Sequence, residues 1–260
     1  MAIAAHRQPL KRHRLQIVAA MTAVALLAGG CASSKQSAVG SHAHASSQPY
    51  AAPGSAAARN AVSSWANSYK NNPKEKSAIL GYSNALSQNE QIPQATAILR
   101  SAVIANPGDR DIASAYGKIL AMNGQFPEAL NVLQGAQTPQ MPDWRLLSAE
   151  GAVHDQMGNH DRARSLYHQA LKIHPDEPSL LNNLALSHLL SNELPEAEYN
   201  LRRAAALPGS DSRIRQNLAL VLGLQGKFGE AEQVATAELS PAEAAENVAY
   251  LRKMLSQSRG

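Results

Sequence analysis

Apolar and small residues recur along the chain with a fixed period of 34 residues. The unit at 178–211 shows the pattern most fully, since a helix-length apolar stretch is followed by a turn at Ser191–Leu194 and by a second helix that Pro195 opens. Alanine recurs at one place in every second helix, at Ala95, Ala129, Ala163, Ala197 and Ala231. A fixed period of this length is typical of a solenoid of stacked helix pairs.

The turns inside the units follow the same period. A small residue recurs in the first helix, at Ser83, Gly117, Gly151, Ala185 and Ala219. Residues that tolerate the left-handed conformation end the first helices at Gly124, Gly158, Asn192 and Gly226, and Glu90 is the exception. The second helices are predicted to start at Pro93, Pro127, Asp161 and Pro195, each suited to a helix start. Apolar residues next to these starts are expected to pack between helices, namely Ile92, Phe126, Leu194 and Phe228. The five predicted units are 76–109, 110–143, 144–177, 178–211 and 212–245.

This pattern resembles the tetratricopeptide repeat, a pair of antiparallel helices whose successive copies stack into a right-handed superhelix. The resemblance covers all of 76–245, and the proline that closes such a repeat falls at Pro107 and Pro175. No strand-like alternation of apolar and polar residues interrupts the pattern. The resemblance therefore implies an all-α protein with a right-handed superhelical solenoid of five units.

A single helix is predicted at each end of the repeats. Residues 58–72, within an N-terminal capping segment at 58–75, place Ala61, Trp65 and Tyr69 at helical spacing and stop before Pro73. After the last unit, Ser240–Glu243 forms a capping box that starts a C-terminal capping helix at 241–257. One side of that helix is apolar, with Ala244, Val248, Leu251 and Leu255. Terminal helices of this kind cover the otherwise exposed ends of a solenoid.

The first 30 residues have the layout of a secretory signal. Four cations, the last at Arg14, precede the apolar stretch Leu15–Ala28, which is short for a membrane span. The segment ends in small residues before Cys31, and it resembles the signal of a bacterial lipoprotein, in which that cysteine is lipidated. Ala32 at the next position favours sorting to the outer membrane, on its periplasmic face, under the rule known for enteric lipoproteins. The alternative is an N-terminal anchor helix with an incidental cysteine.

The net positive charge of the chain comes from its N-terminal segment. The chain has 24 Lys and Arg against 20 Asp and Glu, but four of the cations lie in 1–30. The predicted mature chain is therefore neutral, which gives no support for a nucleic-acid-binding surface. Residues 31–57 are rich in Ser, Ala and Gly and are predicted to form a disordered tether after the lipidated cysteine. Because Cys31 is the one cysteine, no intramolecular disulfide can form.

Beyond the residues that define the repeat, three stretches resemble one family of repeat proteins. They are PDWRLLSAEG at 142–151, RIRQNLALVLGLQGKFGEAE at 213–232 and ENVAYLRKML at 246–255. With the lipoprotein signal, they resemble the TadD family, the repeat lipoproteins of the Tad (Flp) pilus assembly system. The resemblance implies a role in pilus assembly, with the outer-membrane secretin or another pilus component as the partner. A scaffold lipoprotein of another cell-envelope or polysaccharide export complex is the alternative.

The sequence contains little that indicates catalysis. It has no glycine-rich phosphate loop and no HExxH or CxxC motif, so no catalytic residue, metal site, cofactor or small-molecule substrate is predicted. The one candidate for acid–base chemistry is Glu150 with His154 one turn later, and His188 repeats that histidine. We interpret these residues as a polar pair at a helix interface, because no nucleophile and no set of metal ligands accompanies them. An accessory transferase or peptidase is the enzymatic alternative.

The first helices of such repeats line the concave face of the superhelix. Amides and cations recur at the matching positions of this chain, where amides can bond a peptide backbone and cations can bind a carboxylate. Leucines accompany them in the fourth and fifth units. The predicted peptide-binding residues are Asn84, Lys118, Arg145, Asn182, Asn183, Leu186, Leu190, Arg213, Gln216, Asn217 and Leu220.

Overall fold

The computed structural model describes residues 52–138 and 140–258. Within these residues the chain is all-α, as predicted, and no strand is present. The helices are α1 Ala56–Asn71, α2 Lys76–Gln88, α3 Ile92–Ala105, α4 Arg110–Met122, α5 Phe126–Ala136, α6 Trp144–Gln156, α7 His160–Ile173, α8 Pro178–Leu190, α9 Leu194–Ala206, α10 Ser212–Leu224, α11 Phe228–Ala235 and α12 Pro241–Ser258. No helix among the described residues is both long and apolar enough to cross a membrane.

Helices α2 to α11 form five consecutive pairs that stack along one axis. Each helix packs against the next one in the chain, and the first helices of successive pairs also contact one another. This is the contact pattern of a helical-repeat solenoid, in which each repeat contacts its neighbours and little else. Repeats 1 to 5 are defined here as the pairs α2–α3, α4–α5, α6–α7, α8–α9 and α10–α11.

The recurrent small residues lie where helices approach closely. The alanines of the second helices, from Ala95 to Ala231, are all fully buried. A side chain added at Gly117 would meet Leu133 at 2.5 Å, and one added at Gly151 would meet the Tyr167 ring at 2.7 Å. Both contacts join a first-helix position to the second-helix position 16 residues later. The 34-residue period therefore marks the packing interface inside each repeat.

The turn between the paired helices has one geometry in all five repeats. The residue at its centre is left-handed throughout, with φ of 60° at Glu90, 62° at Asn192 and 74° to 81° at the three glycines. The amide that follows donates to the carbonyl five residues earlier, for example from Gln91 to Leu86 at 2.9 Å. These bonds satisfy carbonyls that the end of a helix leaves free. Glu90 adopts this left-handed conformation although its side chain disfavours it, because the turn then satisfies the carbonyls of Leu86 and Ser87 at the end of α2.

Replacing Glu90 by glycine is expected to stabilise the protein by about 0.5–1 kcal/mol. A left-handed residue with a Cβ costs roughly 1–2 kcal/mol, and the added freedom of glycine in the unfolded chain offsets part of that gain. The Glu90 side chain is exposed and makes no hydrogen bond among the described residues, so its removal costs little. Urea unfolding followed by circular dichroism measures the change. Gly124→Ala, the reverse change in repeat 2, should destabilise by about 1 kcal/mol, and a shift of the same sign in both variants would contradict this explanation.

The second helices start one residue before the predicted positions. Helix α3 begins at Ile92 because the Gln91 carbonyl already accepts from the Ala95 amide at 3.2 Å. Pro93 is therefore the second helical residue, where its missing amide hydrogen also costs no intrahelical bond. The same offset places Phe126, His160 and Leu194 at the other helix starts. Ile92, Phe126, Leu194 and Phe228 pack against the apolar cores, as expected from the sequence.

The terminal helices pack on the ends of the repeat array. Helix α1 starts two residues earlier than predicted, because the Ser55 hydroxyl accepts from the Ala58 amide at 3.1 Å and caps it. Trp65 of α1 packs directly over Gly81 of the first repeat. At the other end, the predicted capping box forms, since Glu243 accepts from the Ser240 amide at 2.9 Å. Helix α12 then buries Ala244, Val248 and Leu251.

A charged cluster joins the second helix of repeat 4 to repeat 5. Glu198 accepts hydrogen bonds from Lys227 at 2.6 Å, Arg202 at 2.8 Å and Gln225 at 2.8 Å. Burial opposes ionisation of Glu198, but these donors prevail and lower its pKa to about 2. A carboxylate whose pKa is lower in the folded state contributes stability above its unfolded pKa and loses it as the pH falls.

Glu198→Gln should therefore destabilise the protein at neutral pH by about 1–2 kcal/mol, allowing for solvent screening of the network. The difference from the wild type should shrink as the pH falls from about 4.5 towards 2, where the wild-type carboxyl also becomes neutral. Denaturant titrations at several pH values measure both effects. Glu246→Gln is the control, because Glu246 is exposed and without a partner among the described residues. A pH-independent difference for Glu198→Gln would contradict the assignment.

The apolar core is not continuous along the solenoid. One large cluster of buried apolar residues spans repeats 1 and 2 and reaches Val153 in α6. A second spans repeats 4 and 5, from Leu181 to the C-terminal helix at Val248. Between them the apolar contacts are small groups around Leu166 and Tyr167. These small groups join repeats 3 and 4, since Leu166 packs with Leu180 and Tyr167 with Leu184.

Candidate peptide-binding groove

The first helices of all five repeats line one open groove of about 1180 Å³. Of the predicted peptide-binding residues, the lining includes Asn84, Lys118, Arg145, Asn182, Asn183, Leu186, Arg213, Gln216 and Asn217. Leu190 lies outside it, at the exposed C-terminal end of α8. Leu220 also lies outside it and is half-buried against the core of repeats 4 and 5. The structure thus brings nine of the eleven residues to one surface.

Amide side chains connect neighbouring repeats along this groove. The Asn217 amide donates to the Asn182 Oδ1 at 2.8 Å, across 35 residues of sequence. The Asn183 amide likewise donates to the Ser148 Oγ at 3.1 Å. These bonds leave three side-chain atoms without a partner among the described residues, namely the Asn182 Nδ2, the Asn183 Oδ1 and the Asn217 Oδ1. The groove therefore offers both donors and acceptors to the backbone of a bound peptide.

The two arginines of the groove are already paired with acids. Arg145 lies between Asp111 at 3.6 Å and Asp143 at 3.8 Å, and its guanidinium stacks over the Trp144 ring at 4.7 Å. Arg213 donates to the Asp211 Oδ2 through Nε at 2.9 Å and through a terminal nitrogen at 2.7 Å. Their charges are thus largely compensated within the protein.

Lys118 differs from both arginines. It has no hydrogen bond or ion pair within residues 52–138 and 140–258. Its side chain is open to solvent, yet the surrounding walls of the groove displace bulk water, and this desolvation lowers the pKa of Lys118. The charges of Arg145 and Arg213 lower it further. The opposite charge of a bound carboxylate would favour the charged form of Lys118, the uncompensated cation of the groove lining.

The candidate acid–base pair lies in a different environment. Glu150 is buried and accepts a hydrogen bond from the Gln134 amide of the preceding repeat at 2.9 Å. Its Oε1 is 3.9 Å from the His154 Nε2, and the His154 Nδ1 is buried without a partner among the described residues. No group of three or more His, Cys, Asp or Glu in the described part of the chain could hold a metal ion. The arrangement matches a polar pair at a helix interface.

A larger polar cluster between repeats 3 and 4 was not predicted. Asp155 accepts hydrogen bonds from His160 Nδ1 at 2.8 Å, from the Tyr167 hydroxyl at 2.9 Å and from the Ser187 hydroxyl of the next repeat at 2.7 Å. Burial and the charge of Asp155 raise the pKa of Tyr167. These four residues, the Asp155 cluster, occupy the gap between the two apolar cores. Through Ser187 they add polar contacts between repeats 3 and 4 to the small apolar groups there.

Comparison with known proteins agrees with this architecture. The sequence model of the tetratricopeptide-repeat family matches residues 80–142 and 149–211. No curated protein sequence matches the chain. The matched stretches lie within repeats 1 to 4, and the described helices form a solenoid of the tetratricopeptide-repeat type, which is typical of protein-binding scaffolds.

Several solved structures share the fold at low identity. TTC0263, a tetratricopeptide-repeat protein of Thermus thermophilus, is 21% identical with a TM-score of 0.55, and the match covers 64% of this chain and 90% of that one. PilW, described as a widely conserved type IV pilus biogenesis factor, is 21% identical with a TM-score of 0.54, over 74% and 90%. The human IFIT1 dimer with m7Gppp-AAAA is 16% identical with a TM-score of 0.59, over 72% and 47%. At these identities the likeness establishes the fold and indicates no enzyme family.

Proposed function

We propose that the protein is a lipid-anchored scaffold of the outer membrane that binds a protein partner in its groove and assists Tad (Flp) pilus assembly. The observation that carries the binding role is the groove itself, with free amide donors and acceptors beside an uncompensated lysine. The partner we propose is the outer-membrane secretin, whose assembly or placement the scaffold aids. The likeness to PilW is weakly consistent with a pilus role.

A peptide fits the polar groups of the groove better than a folded protein surface does. A peptide backbone brings one donor and one acceptor at each residue, and the free groups of Asn182, Asn183 and Asn217 can pair with them. A folded protein surface offers few unpaired backbone groups, so a flat contact would leave these amides unused. The bound partner is therefore a segment of chain that enters the groove.

The anchor in this proposal is Cys31, which lies outside the described residues together with the signal and most of the tether. Lipid on this residue would keep the groove at the membrane that holds the secretin. A tether of this kind raises the effective concentration of one partner for the other without any new contact. The sequence features that support it are the small residues before Cys31 and Ala32 directly after it.

Mature protein is expected to carry lipid on Cys31 and to fractionate with the outer membrane. Mass spectrometry of the N-terminal peptide and density-gradient separation of the two membranes measure these properties. Cys31→Ser should abolish the modification and release the protein from the outer-membrane fraction. Normal processing and membrane association of the Cys31→Ser protein, with no modification, would instead support an anchor helix.

Affinity purification tests the partner. A C-terminally tagged protein, expressed at its natural level, is purified from detergent-solubilised membranes of pilus-forming cells. We expect the secretin to co-purify, as identified by mass spectrometry, and not to co-purify with an unrelated tagged lipoprotein. Recovery of components of a different export system, without pilus proteins, would contradict the pilus role and favour the alternative scaffold function.

A further inference from the structure

Charge is distributed unevenly along the predicted mature chain. No Asp or Glu occurs before Glu75, whereas residues 31–74 contain four Lys and Arg. Residues 75–260 contain 16 Lys and Arg against 20 Asp and Glu. The mature chain is therefore neutral only as a whole, because a formal charge of +4 in its first part balances −4 in the rest. Lys35 lies outside the described residues, and the other three cations of the first part are Arg59, Lys70 and Lys74.

These three cations have no acidic partner among the described residues. Lys70 and Lys74 make no hydrogen bond or ion pair there, and the Arg59 guanidinium donates to the Gly54 carbonyl. All three side chains are exposed. Lys76 is different, because it pairs with two aspartates at the start of repeat 2, at 3.0 and 2.5 Å. The positive charge before residue 75 is thus not compensated within the described part of the protein.

The position of α1 places these charges on an open face. Helix α1 packs against α2 and contacts no other helix of the described residues. Arg59, Ser63, Asn67 and Lys70 recur at helical spacing on a side of α1 that faces solvent, and all four are exposed. These four residues form the α1 outer face, and Lys74 follows in the turn before α2. The face is polar and cationic, and it lies at the repeat 1 end of the solenoid.

The lipid proposed above would keep this end of the solenoid nearest the membrane. Helix α1 begins 25 residues after Cys31 and is the first helix of the described residues. A tether raises the effective concentration of a nearby surface, and α1 is the described helix that the tether brings closest to the lipid. The net negative charge of residues 75–260 acts in the opposite direction, since an anionic surface repels it. One anionic surface therefore attracts the first part of the protein and repels the rest.

From these observations, and resting on the lipid anchor of the proposed function, we propose that the α1 outer face and Lys74 bind the anionic phospholipid headgroups of the membrane that holds the anchor. Lys and Arg near an anionic lipid surface are attracted to it within about one Debye length, which is about 8 Å at physiological ionic strength. The α1 outer face has no apolar side chain that could enter the acyl region, so it binds at the headgroups. This contact orients the solenoid with repeat 1 at the membrane and repeats 2 to 5 further away.

Fluorescence energy transfer to the membrane tests this contact. The chain has one cysteine, and lipidation consumes its thiol, so an introduced cysteine is the one site for a thiol-reactive dye. The full lipidated protein with Asn67→Cys is labelled with a donor dye and incorporated into vesicles that contain acceptor-labelled lipid. We expect more transfer on vesicles of phosphatidylcholine with phosphatidylglycerol than on vesicles of phosphatidylcholine alone. Raised salt should remove the difference, because it screens the attraction. A dye at Asn247→Cys, exposed on α12 at the other end, should give little transfer on both.

Two triple variants identify the groups responsible. The first replaces the three cations, as Arg59→Gln, Lys70→Gln and Lys74→Gln. It should lower the ratio of docked to undocked protein on anionic vesicles roughly 100-fold, since each cation near such a surface contributes about fivefold. Transfer from position 67 should then fall to its value on neutral vesicles. The matched control replaces as many exposed cations on α7 and α12 and should retain high transfer, with Arg162→Gln, Lys172→Gln and Lys253→Gln.

The outcomes separate this proposal from the anchored scaffold on which it rests. Protein that incorporates into both kinds of vesicle, with equal transfer from position 67 on the two, would overturn headgroup binding and leave the anchored scaffold in place. Photo-cross-links from Ser63 to a protein in cells would in that case assign the α1 outer face to a protein partner. Equal loss of transfer in the two triple variants would also overturn headgroup binding by α1, because total charge would then explain the attraction. Protein that incorporates into neither kind of vesicle would overturn both the anchor and this proposal.

Discussion

Asp155→Ala is expected to lower the free energy of unfolding by about 3–5 kcal/mol, more than any surface substitution in this protein. The carboxylate receives hydrogen bonds from His160, Tyr167 and Ser187, and its side chain is 9% exposed. Alanine would leave three donors without a partner in a mostly buried interface, and each unsatisfied buried group costs about 1–3 kcal/mol. Chemical denaturation followed by circular dichroism measures the loss.

The position of the Asp155 cluster also predicts the shape of the unfolding transition of the Asp155→Ala protein. Stability in a solenoid is approximately a sum of repeat and interface terms, so weakening one interface uncouples the parts on either side. Because separate apolar cores lie on the two sides, the Asp155→Ala protein should unfold in a broadened or two-step transition. The control is Asp161→Ala, whose side chain is 97% exposed and pairs with Arg164. It should change stability by less than about 0.5 kcal/mol, and equal losses for the two variants would contradict the role of the cluster.

The second large effect concerns function. The triple variant Asn84→Ala, Lys118→Gln and Gln216→Ala is expected to abolish pilus assembly while the protein stays folded, abundant and localised. All three side chains are exposed, line the groove and make no hydrogen bond or ion pair among the described residues. Their removal therefore changes what the groove offers a ligand and leaves the contacts between repeats intact. Pili are counted by electron microscopy, and folding is checked by thermal denaturation.

A matched triple variant controls for the chemistry of the changes. Gln233→Ala, Asn247→Ala and Lys253→Gln replace exposed residues of the same kinds on α11 and α12, outside the groove lining. Cells with this protein should form pili normally. Normal pili with the groove variant, and none with the control, would contradict the groove as the binding surface and would indicate the C-terminal helices instead.

The repeat architecture was predictable because its signals are local and periodic. The buried alanines and the left-handed turns each repeat five times, so one exception does not hide the pattern. Glu90 was that exception in the sequence, and the structure gives it the same backbone as Asn192. The packing of the repeat overrides the preference of a single residue.

The Asp155 cluster escaped prediction because its four residues lie at four different positions of the repeat, and His160 stands where the other repeats have Ile92, Phe126, Leu194 and Phe228. Asp155 stands where other repeats have Ser87, Ala121, Leu189 and Gly223. Tyr167 stands where the other repeats have three leucines and Ala235, and Ser187 stands in a row of Ala, Ile and Val. Each departure alone is unremarkable for a polar residue on a helix. The sequence could have indicated the cluster only through the occurrence of all these departures in repeats 3 and 4. To see that they meet at one interface, one must know how the two repeats stack.

Pairing of the groove cations was not visible in the sequence either. Lys118, Arg145 and Arg213 were predicted as equivalent, but the arginines are paired with acids that repeat stacking or a helix cap places beside them. Asp111 reaches Arg145 from the preceding first helix, at the equivalent position one period earlier. Such contacts depend on side-chain geometry across repeats. The distinction between Lys118 and the arginines therefore comes from the structure.

Site-specific photo-cross-linking in pilus-forming cells tests most directly the proposal that the groove binds the secretin. A photoreactive amino acid is placed at Gln216, exposed in the groove, or at Tyr199, exposed on α9 outside its lining. Irradiation should cross-link the protein to the secretin from position 216 and not from position 199. Cross-links to the secretin from position 199 alone would contradict the groove as the binding surface.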